Sequence, residues 1–277
     1  MSLQKIINGA TTFLFVPGNR PERFEKAHQA GADIVIIDLE DAVAATEKQN
    51  ARINVIDWLQ SNPTQHTVVR LNPRNTPAFD QDVKELVGLV DAVMLPKTET
   101  PEDIVEVLTK LGGEVQVIAL IETAKGVLNA ERIALVPGVN RLAFGNVDFA
   151  ADIRVKADDT QAQLFARSAL VFASAAAQIA GPVDGVTTNV LDASVSLRDA
   201  EYARSLGFTG KLCVHPRQVP PVRLAYTPTA DEIAWAEAVV QRAADSNVAT
   251  VDGQMIDRPV VLRAEQILEQ AWQSTRN

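Results

Sequence analysis

Short apolar runs recur eight times along the chain, and each ends in a polar, charged or turn-forming residue. Helix-like sequence separates each run from the next. Strands of a parallel sheet are buried on both faces, so they read as continuous hydrophobic runs of this kind. The runs and their endings are Phe13–Val16 before Pro17, Ile34–Ile37 before Asp38, Val68–Val69 before Arg70, Val93–Leu95 before Pro96 and Lys97, Val117–Ile121 before Glu122, Leu142–Phe144 before Gly145–Asp148, Val183–Val186 before Thr187, and Leu212–Val214 before His215.

Helix start signals fill the gaps between the runs. Thr100–Asp103 has a capping residue, a proline and acids in the order of a first helical turn. The apolar face of the helix that follows would consist of Ile104, Val105, Leu108 and Leu111. An uninterrupted alternation of strand and helix favours a parallel sheet joined by right-handed crossovers. Eight such units predict a TIM (β/α)₈ barrel, with a doubly wound open sheet as the competing fold.

The alternation stops near the C-terminus. Thr229–Glu232 is a capping box that opens a helix, and a last helix is predicted from about Pro259 to Trp272. The sequence of residues 248–253 indicates a connector without periodicity. We therefore expect a catalytic barrel over residues 1–225 and a C-terminal helical extension over residues 226–277, which would lie near the pocket or against a neighbouring subunit.

Composition excludes several classes of protein. The formal charge of −9 argues against non-specific nucleic-acid binding. No run approaches the roughly 18 apolar residues of a membrane span, and the first residues carry no basic stretch ahead of an apolar signal core. The single cysteine, Cys213, cannot form an internal disulfide. These features predict a cytoplasmic protein without nucleic-acid or membrane partners.

Two acids follow neighbouring runs of the predicted barrel. Glu122 ends the fifth run and Asp148 follows the sixth, and the active sites of such barrels lie at the C-terminal ends of the strands. Two carboxylates facing one space, with positions left for water and substrate, suit Mg²⁺. The alternative is that each acid only caps the helix after it. The pair on adjacent strands favours a metal site.

Arg70 ends the third run and would project into the same pocket. A guanidinium there can hold a carboxylate or stabilise an enolate oxygen. The alternative is a salt bridge to an acid of the segment Asp38–Asp41, and the two interpretations are compatible, because such an acid would orient the arginine. Asp38, Glu40 and Asp41 are expected to contact the metal through water or to hold Arg70.

Lys97 and His215 are weaker candidates. A lysine at the end of a barrel strand can form a Schiff base, but Lys97 stands beyond its run and before a helix start, which favours a surface position. His215 precedes a proline and is expected to bond to the backbone rather than to act as a base.

Nearly the whole chain resembles the citrate lyase β-subunit-like branch of the aldolase/citrate lyase (HpcH/HpaI) superfamily, which includes citramalyl-CoA and malyl-CoA lyases. The motifs that carry the resemblance are Phe15–Asn19, Asp38–Val43, Val69–Asn72, Leu95–Lys97, Ile121–Gly126, Gly207–Lys211 and Val214–Gln218. The resemblance implies a TIM barrel that assembles as a homotrimer or hexamer. It also implies Mg²⁺ held by Glu122 and Asp148, with Arg70 binding the substrate.

The resemblance implies further roles outside the strand ends. Arg23 and Lys26, with Arg20 as a third candidate, would bind coenzyme A. In the motif Gly253–Pro259, Asp257 would act as general acid or base, so that the extension caps the active site of a neighbouring subunit. The alternative for Asp257 is an N-cap of the last helix.

The resemblance also has departures and leaves rival functions. Val147 stands where many relatives have a glutamate, Phe15 replaces a frequent tyrosine, and Asp184–Asn189 differs from the usual acidic pattern. The implied function is Mg²⁺-dependent cleavage of a citramalyl-CoA-like 3-hydroxyacyl thioester to acetyl-CoA and a 2-oxo acid such as pyruvate, or the reverse condensation. The alternatives are a citrate lyase β subunit acting on a carrier-bound citryl thioester, a lysine-dependent aldolase, and a non-catalytic barrel.

Overall fold

The computed structural model describes residues 2–62, 66–112, 114–245, 249–251 and 254–274. Eight parallel strands close into a barrel, each paired with the next along the chain and the eighth with the first. The barrel prediction is confirmed, and the doubly wound sheet is excluded. The strands are β1 (Thr12–Pro17), β2 (Ile34–Asp38), β3 (Thr67–Arg70), β4 (Ala92–Leu95), β5 (Gln116–Ile121), β6 (Val139–Phe144), β7 (Val183–Asp184) and β8 (Gly210–Cys213).

One helix precedes β1, and helices follow every strand of the barrel. They are α1 (Leu3–Gly9), α2 (Phe24–Gln29), α3 (Lys48–Ser61), α4 (Pro77–Leu86), α5 (Pro101–Leu111), α6 (Ala124–Leu128), α7 (Ala130–Ala134), α8 (Asn146–Asp152), α9 (Leu164–Ala176), α10 (Ala193–Leu206), α11 (Val219–Tyr226), α12 (Ala230–Asp245) and α13 (Arg258–Ser274). Short 3₁₀ turns lie at Pro21–Arg23, Ala45–Glu47 and Pro216–Gln218. Among the described residues, no helix is long and apolar enough to cross a membrane.

The local predictions hold in part. Thr100 and Asp103 form the expected capping box at the start of α5. The buried face of α5 includes Ile104 and Leu111 as expected, but also Val107, whereas Val105 is 52% exposed. Assigning Val105 to the buried face was therefore wrong. Strand β7 is shorter than its apolar run, because the chain leaves the barrel after only two paired residues.

The inward faces of the strands fill the barrel and place the site. The core cluster contains Phe13, Ile34, Ile36, Val68, Ala92, Met94, Ile118, Leu120, Ala143, Val183 and Leu212. Because alternate strand residues share a face, the next inward positions follow two residues later along each strand. These positions include Asp38, Arg70 and Glu122. The same alternation that fills the core therefore brings charged side chains to the C-terminal mouth.

A buried arginine lies at the opposite end of the barrel. Arg141 on β6 donates to the carbonyl oxygens of Ile7, Ala10 and Gly181 at 2.7–3.0 Å. Its guanidinium also stacks on the ring of Phe13, 5.2 Å from the centroid. These contacts pin the first helix and the β7 entry to the base of the barrel.

The chain divides into two compact units, residues 1–223 and 224–277. In the second unit, Thr229 and Glu232 form the predicted capping box before α12. Helices α12 and α13 share an apolar cluster that includes Ala236, Val239 and Ala264. Between the helices, β9 (Ala249–Val251) and β10 (Gln254–Ile256) pair antiparallel, so the prediction of an irregular connector was wrong there.

Candidate active site

A cavity of about 400 Å³ opens at the C-terminal mouth of the barrel. Its walls combine the inward ends of the strands with the loops that follow them. The lining residues are Phe15, Pro17, Asp38, Asp41, Ala42, Arg70, Leu120, Glu122, Phe144, Gly145, Asn146, Val147, Asp148, Val186, Leu212 and Val214. Arg70, Glu122 and Asp148, which the sequence places in one pocket, all line this cavity.

Glu122 is a deeply buried acid of the cavity wall. It follows β5 and is 3% exposed, and its Oε1 accepts a hydrogen bond from the backbone N–H of Lys97 at 2.8 Å. Burial raises the pKa of Glu122 to about 8, and the charges of Glu40 and Asp148 add to the rise. A nearby cation would stabilise the ionised form of this carboxylate and so offset both causes of its raised pKa.

Asp148 lines the cavity from a helix, whereas the sequence predicts a position at a strand end. It does not end β6 but lies in the first turn of α8, with its side chain 42% exposed. Gly145 follows the last residue of β6, and a Cβ there would lie 2.5 Å from the Cβ of Glu122. Gly145 therefore leaves the space that Glu122 occupies, and the chain turns directly into α8.

Gly145→Ala is expected to weaken the site without unfolding the barrel. The new methyl group would collide with Glu122, and overpacking of this kind costs about 1–3 kcal/mol of stability. We expect a lower urea midpoint together with weaker Mg²⁺ binding by calorimetry. A variant with unaltered Mg²⁺ affinity would show that the close approach of Gly145 does not position Glu122.

Acids at the end of β2 hold Arg70. Its Nε and Nη2 donate to both carboxylate oxygens of Asp38 at 2.7 and 2.6 Å, and its Nη1 lies 3.0 Å from Glu40 and 3.9 Å from Asp41. The guanidinium also stacks over Phe15, 4.7 Å from the ring centroid. Burial alone lowers the pKa of Arg70, but the hydrogen bonds and charge of Asp38 raise it overall. The predicted salt bridge is present, and it fixes the orientation of a permanent cation.

Hydrogen bonds from Lys48 and to Asp38 fix the loop that carries these acids. Lys48 donates from Nζ to the carbonyl oxygens of Leu39 and Glu40 at 2.7 and 2.6 Å. Asp38 accepts from the N–H groups of Glu40 and Ala42 at 2.8 and 3.0 Å. Burial raises the pKa of Glu40 to about 7. Sequence reasoning missed Lys48, because a lysine in the first turn of α3 gives no local sign of such contacts.

The charges of the site favour a divalent cation. Five carboxylates lie in this cluster, at positions 38, 40, 41, 122 and 148, against three cations at 48, 70 and 97. The difference is two negative charges when all are ionised. Hard oxygen donors with an excess of negative charge suit Mg²⁺. Within the described ranges no trio of His, Cys, Asp or Glu is arranged for a metal.

Lys97 and His215 have different surroundings. Lys97 is exposed, as expected, but its Nζ also lies 3.3 Å from Glu40 and 3.7 Å from Asp148, so Lys97 belongs to the ion cluster as well. His215 accepts from the N–H of Arg217 at its Nδ1 and caps a 3₁₀ turn, as expected.

The remaining predicted site residues lie outside the cavity wall. Arg23 and Lys26 are exposed, Arg23 in the 3₁₀ turn after β1 and Lys26 on α2. Arg20 pairs with Glu22 at 2.7 Å. Asp257 is exposed in the second unit, and its Oδ1 accepts from the N–H of Val260 at 3.3 Å, which is the N-cap contact of α13. Gly253, the first residue of the motif around Asp257, lies outside the described residues.

Comparison with known proteins places the chain in a family. Residues 11–216 match the HpcH/HpaI aldolase/citrate lyase family, and the chain belongs to it. The citrate lyase subunit beta of Leuconostoc mesenteroides subsp. cremoris is 36% identical, over 94% of this chain and 92% of that protein. The mitochondrial citramalyl-CoA lyase of Rattus norvegicus is 30% identical, over 92% of this chain and 84% of that protein.

A solved structure matches both units of the chain. It is a Mycobacterium tuberculosis protein in complex with magnesium, acetoacetate and coenzyme A. The TM-score is 0.84 at 33% sequence identity, and the match covers 96% of this chain and 99% of the other. The likeness therefore extends beyond the barrel to the C-terminal helices.

Proposed function

We propose that this protein is a Mg²⁺-dependent carbon-carbon lyase that cleaves a citramalyl-CoA-like 3-hydroxyacyl thioester to acetyl-CoA and a 2-oxo acid such as pyruvate, or catalyses the reverse condensation. The observation that carries the proposal is the convergence of Glu122, Asp148 and the oriented Arg70 on one cavity. Magnesium and coenzyme A in the solved relative support it, as does the relative named citramalyl-CoA lyase.

Four charged side chains would carry this reaction: three line the cavity, and Asp257 belongs to the second unit. Glu122 and Asp148 would hold Mg²⁺, which would supply the Lewis-acid chemistry that lowers the pKa of the substrate hydroxyl. Asp257, as general acid and base, would take the hydroxyl proton as the carbon-carbon bond breaks, and the electron pair of that bond would move into the thioester enolate. Arg70 stabilises the developing negative charge, because Asp38 already holds the guanidinium in place. Asp257 then donates a proton to the enolate carbon.

The thioester and the second subunit complete the proposal. Arg23 and Lys26 would bind the coenzyme A phosphates, since both are exposed cations on the segment after β1. Asp257 would reach the cavity of a neighbouring subunit in a homotrimer or hexamer. An apolar outer face on α9 supports self-association, because Phe165 and Phe172 are 70% and 71% exposed.

Asp257→Asn is expected to lower kcat by about 10²-fold, the typical contribution of a general acid. Asparagine keeps the helix cap, so thermal stability and Mg²⁺ affinity should stay at the level of the unaltered protein. The measurement is steady-state cleavage of citramalyl-CoA together with calorimetry. Mixed oligomers of Asp257→Asn and Arg70→Ala subunits should recover partial activity if Asp257 acts in trans. No recovery in a confirmed mixed oligomer would contradict that arrangement.

The substrate is tested by a direct comparison of thioesters. Purified protein with Mg²⁺ is assayed for 2-oxo acid release from citramalyl-CoA, malyl-CoA and citryl-CoA, and from a citryl thioester on an acyl-carrier protein. The proposal expects turnover of the free CoA thioester and the highest kcat/KM with citramalyl-CoA. Turnover only on the carrier would favour a citrate lyase β subunit instead, which the 36% identity to the Leuconostoc subunit makes the second candidate.

A further inference from the structure

Lys97 adopts a backbone conformation that a lysine rarely takes. Its φ is +50°, in the left-handed region. The residues around it enforce this turn. Thr98 is fully buried, its hydroxyl donates to the carbonyl of Leu95 at 2.8 Å, and its N–H donates to the carbonyl of Leu120 at 3.2 Å. A strained residue that its neighbours fix this firmly often belongs to a functional site.

The turn gives Lys97 two separate links to the acids of the cavity. The backbone N–H holds Glu122 at 2.8 Å. The side chain reaches the other way, with Nζ 3.3 Å from Glu40 and 3.7 Å from Asp148. The first link depends on the backbone alone and survives a change of side chain. Only the second link brings a positive charge next to a proposed metal ligand.

A side-chain ammonium and a metal ion cannot both neutralise Asp148 at close range without repelling each other. Asp148 is the looser of its two partners, because the 3.7 Å contact is longer than a hydrogen bond and the carboxylate is 42% exposed. Glu40 is nearly buried and lies nearer, so it offers Lys97 a partner that does not line the cavity. A bound cation would therefore leave Lys97 paired with Glu40.

We propose that the Lys97 ammonium competes with Mg²⁺ for Asp148. It neutralises this carboxylate in the metal-free protein and is displaced from it when Mg²⁺ binds. Lys97 thereby sets the Mg²⁺ affinity and keeps the carboxylate cluster stable before the metal binds. The inference rests on the proposed function, because it assumes that Asp148 and Glu122 hold Mg²⁺. It makes Lys97 a positioning residue and assigns no Schiff base to it.

The test is calorimetric titration of Mg²⁺ into the full-length protein and its Lys97→Met variant, combined with thermal unfolding in EDTA and in Mg²⁺. We expect Lys97→Met to bind Mg²⁺ about tenfold more tightly, because removing the ammonium removes its repulsion of the incoming cation. We also expect the variant to have the lower Tm in EDTA and the larger rise in Tm with Mg²⁺. Lys97→Asn, which suits the left-handed backbone, should show the same tightening, and Lys97→Arg should bind like the unaltered protein.

Lys110→Met is the matched control. Lys110 also pairs with two acids, Asp80 and Glu106, and is 37% exposed against 40% for Lys97, but it lies on α5 and does not line the cavity. Its loss should leave the Mg²⁺ affinity unchanged. Equal or weaker Mg²⁺ binding in both Lys97→Met and Lys97→Asn would overturn the inference while the proposed metal site stands. Absence of Mg²⁺ binding in the unaltered protein would overturn the proposed metal site, and the inference with it.

Discussion

Glu122→Gln is expected to abolish measurable Mg²⁺ binding and to lower kcat/KM by about 10³-fold or more, since a bound metal supplies several kcal/mol of charge stabilisation. Glutamine has the same shape and can still accept the hydrogen bond from the Lys97 backbone. The folded protein should tolerate the change, because burial and neighbouring acids already raise the pKa of Glu122 to about 8 and so disfavour its charge. In EDTA we expect a Tm equal to or above that of the unaltered protein.

Steady-state cleavage of citramalyl-CoA, Mg²⁺ calorimetry and thermal unfolding measure the three effects. Glu99→Gln is the matched control, because Glu99 pairs with Lys125 at 3.0 Å and does not line the cavity. It should retain activity and Mg²⁺ affinity. Strong Mg²⁺ binding by Glu122→Gln would contradict the assignment of this carboxylate as a ligand.

Arg70→Met is expected to damage both stability and activity. The change leaves Asp38 and Glu40 buried next to each other without their main cation, and breaking a buried pair in this way costs about 3–5 kcal/mol. Loss of one preorganised donor to the developing enolate should lower kcat by about 10²–10³-fold. Urea unfolding and steady-state kinetics measure the two effects.

A second substitution separates the two roles of Arg70. Asp38→Asn in the Arg70→Met background removes one of the uncompensated charges and should restore part of the stability. It should restore no activity, because the guanidinium is still missing. Recovery of activity in the double variant would show that Arg70 acts only by neutralising Asp38.

The barrel was predictable because its strands are buried on both faces, which leaves a plain signal in the sequence. Arg70 and Glu122 were predictable for a related reason. Arg70 comes two residues after Val68, and Glu122 two residues after Leu120. Because Val68 and Leu120 face the barrel interior, the two charged side chains face inward as well. Asp148 was chosen correctly as a cavity residue, but its place on α8 depends on the close approach of Gly145 to Glu122.

Other parts of the site depend on contacts between distant segments. Lys48 reaches the backbone of the loop after β2 from the next helix, and Lys97 meets Glu40 from a strand two positions away in the barrel. Neither contact leaves a periodic pattern. The β9–β10 hairpin was missed because two strands of three residues each are too short to show alternation.

The central claim is that cleavage of the thioester depends on Mg²⁺ at this cavity. The most direct test follows acetyl-CoA formation from citramalyl-CoA by purified protein, first in EDTA and then during titration with Mg²⁺. The account predicts no turnover in EDTA and saturable recovery with Mg²⁺. Full turnover in EDTA, with borohydride trapping of the product on Lys97, would contradict it and support a lysine-dependent aldolase.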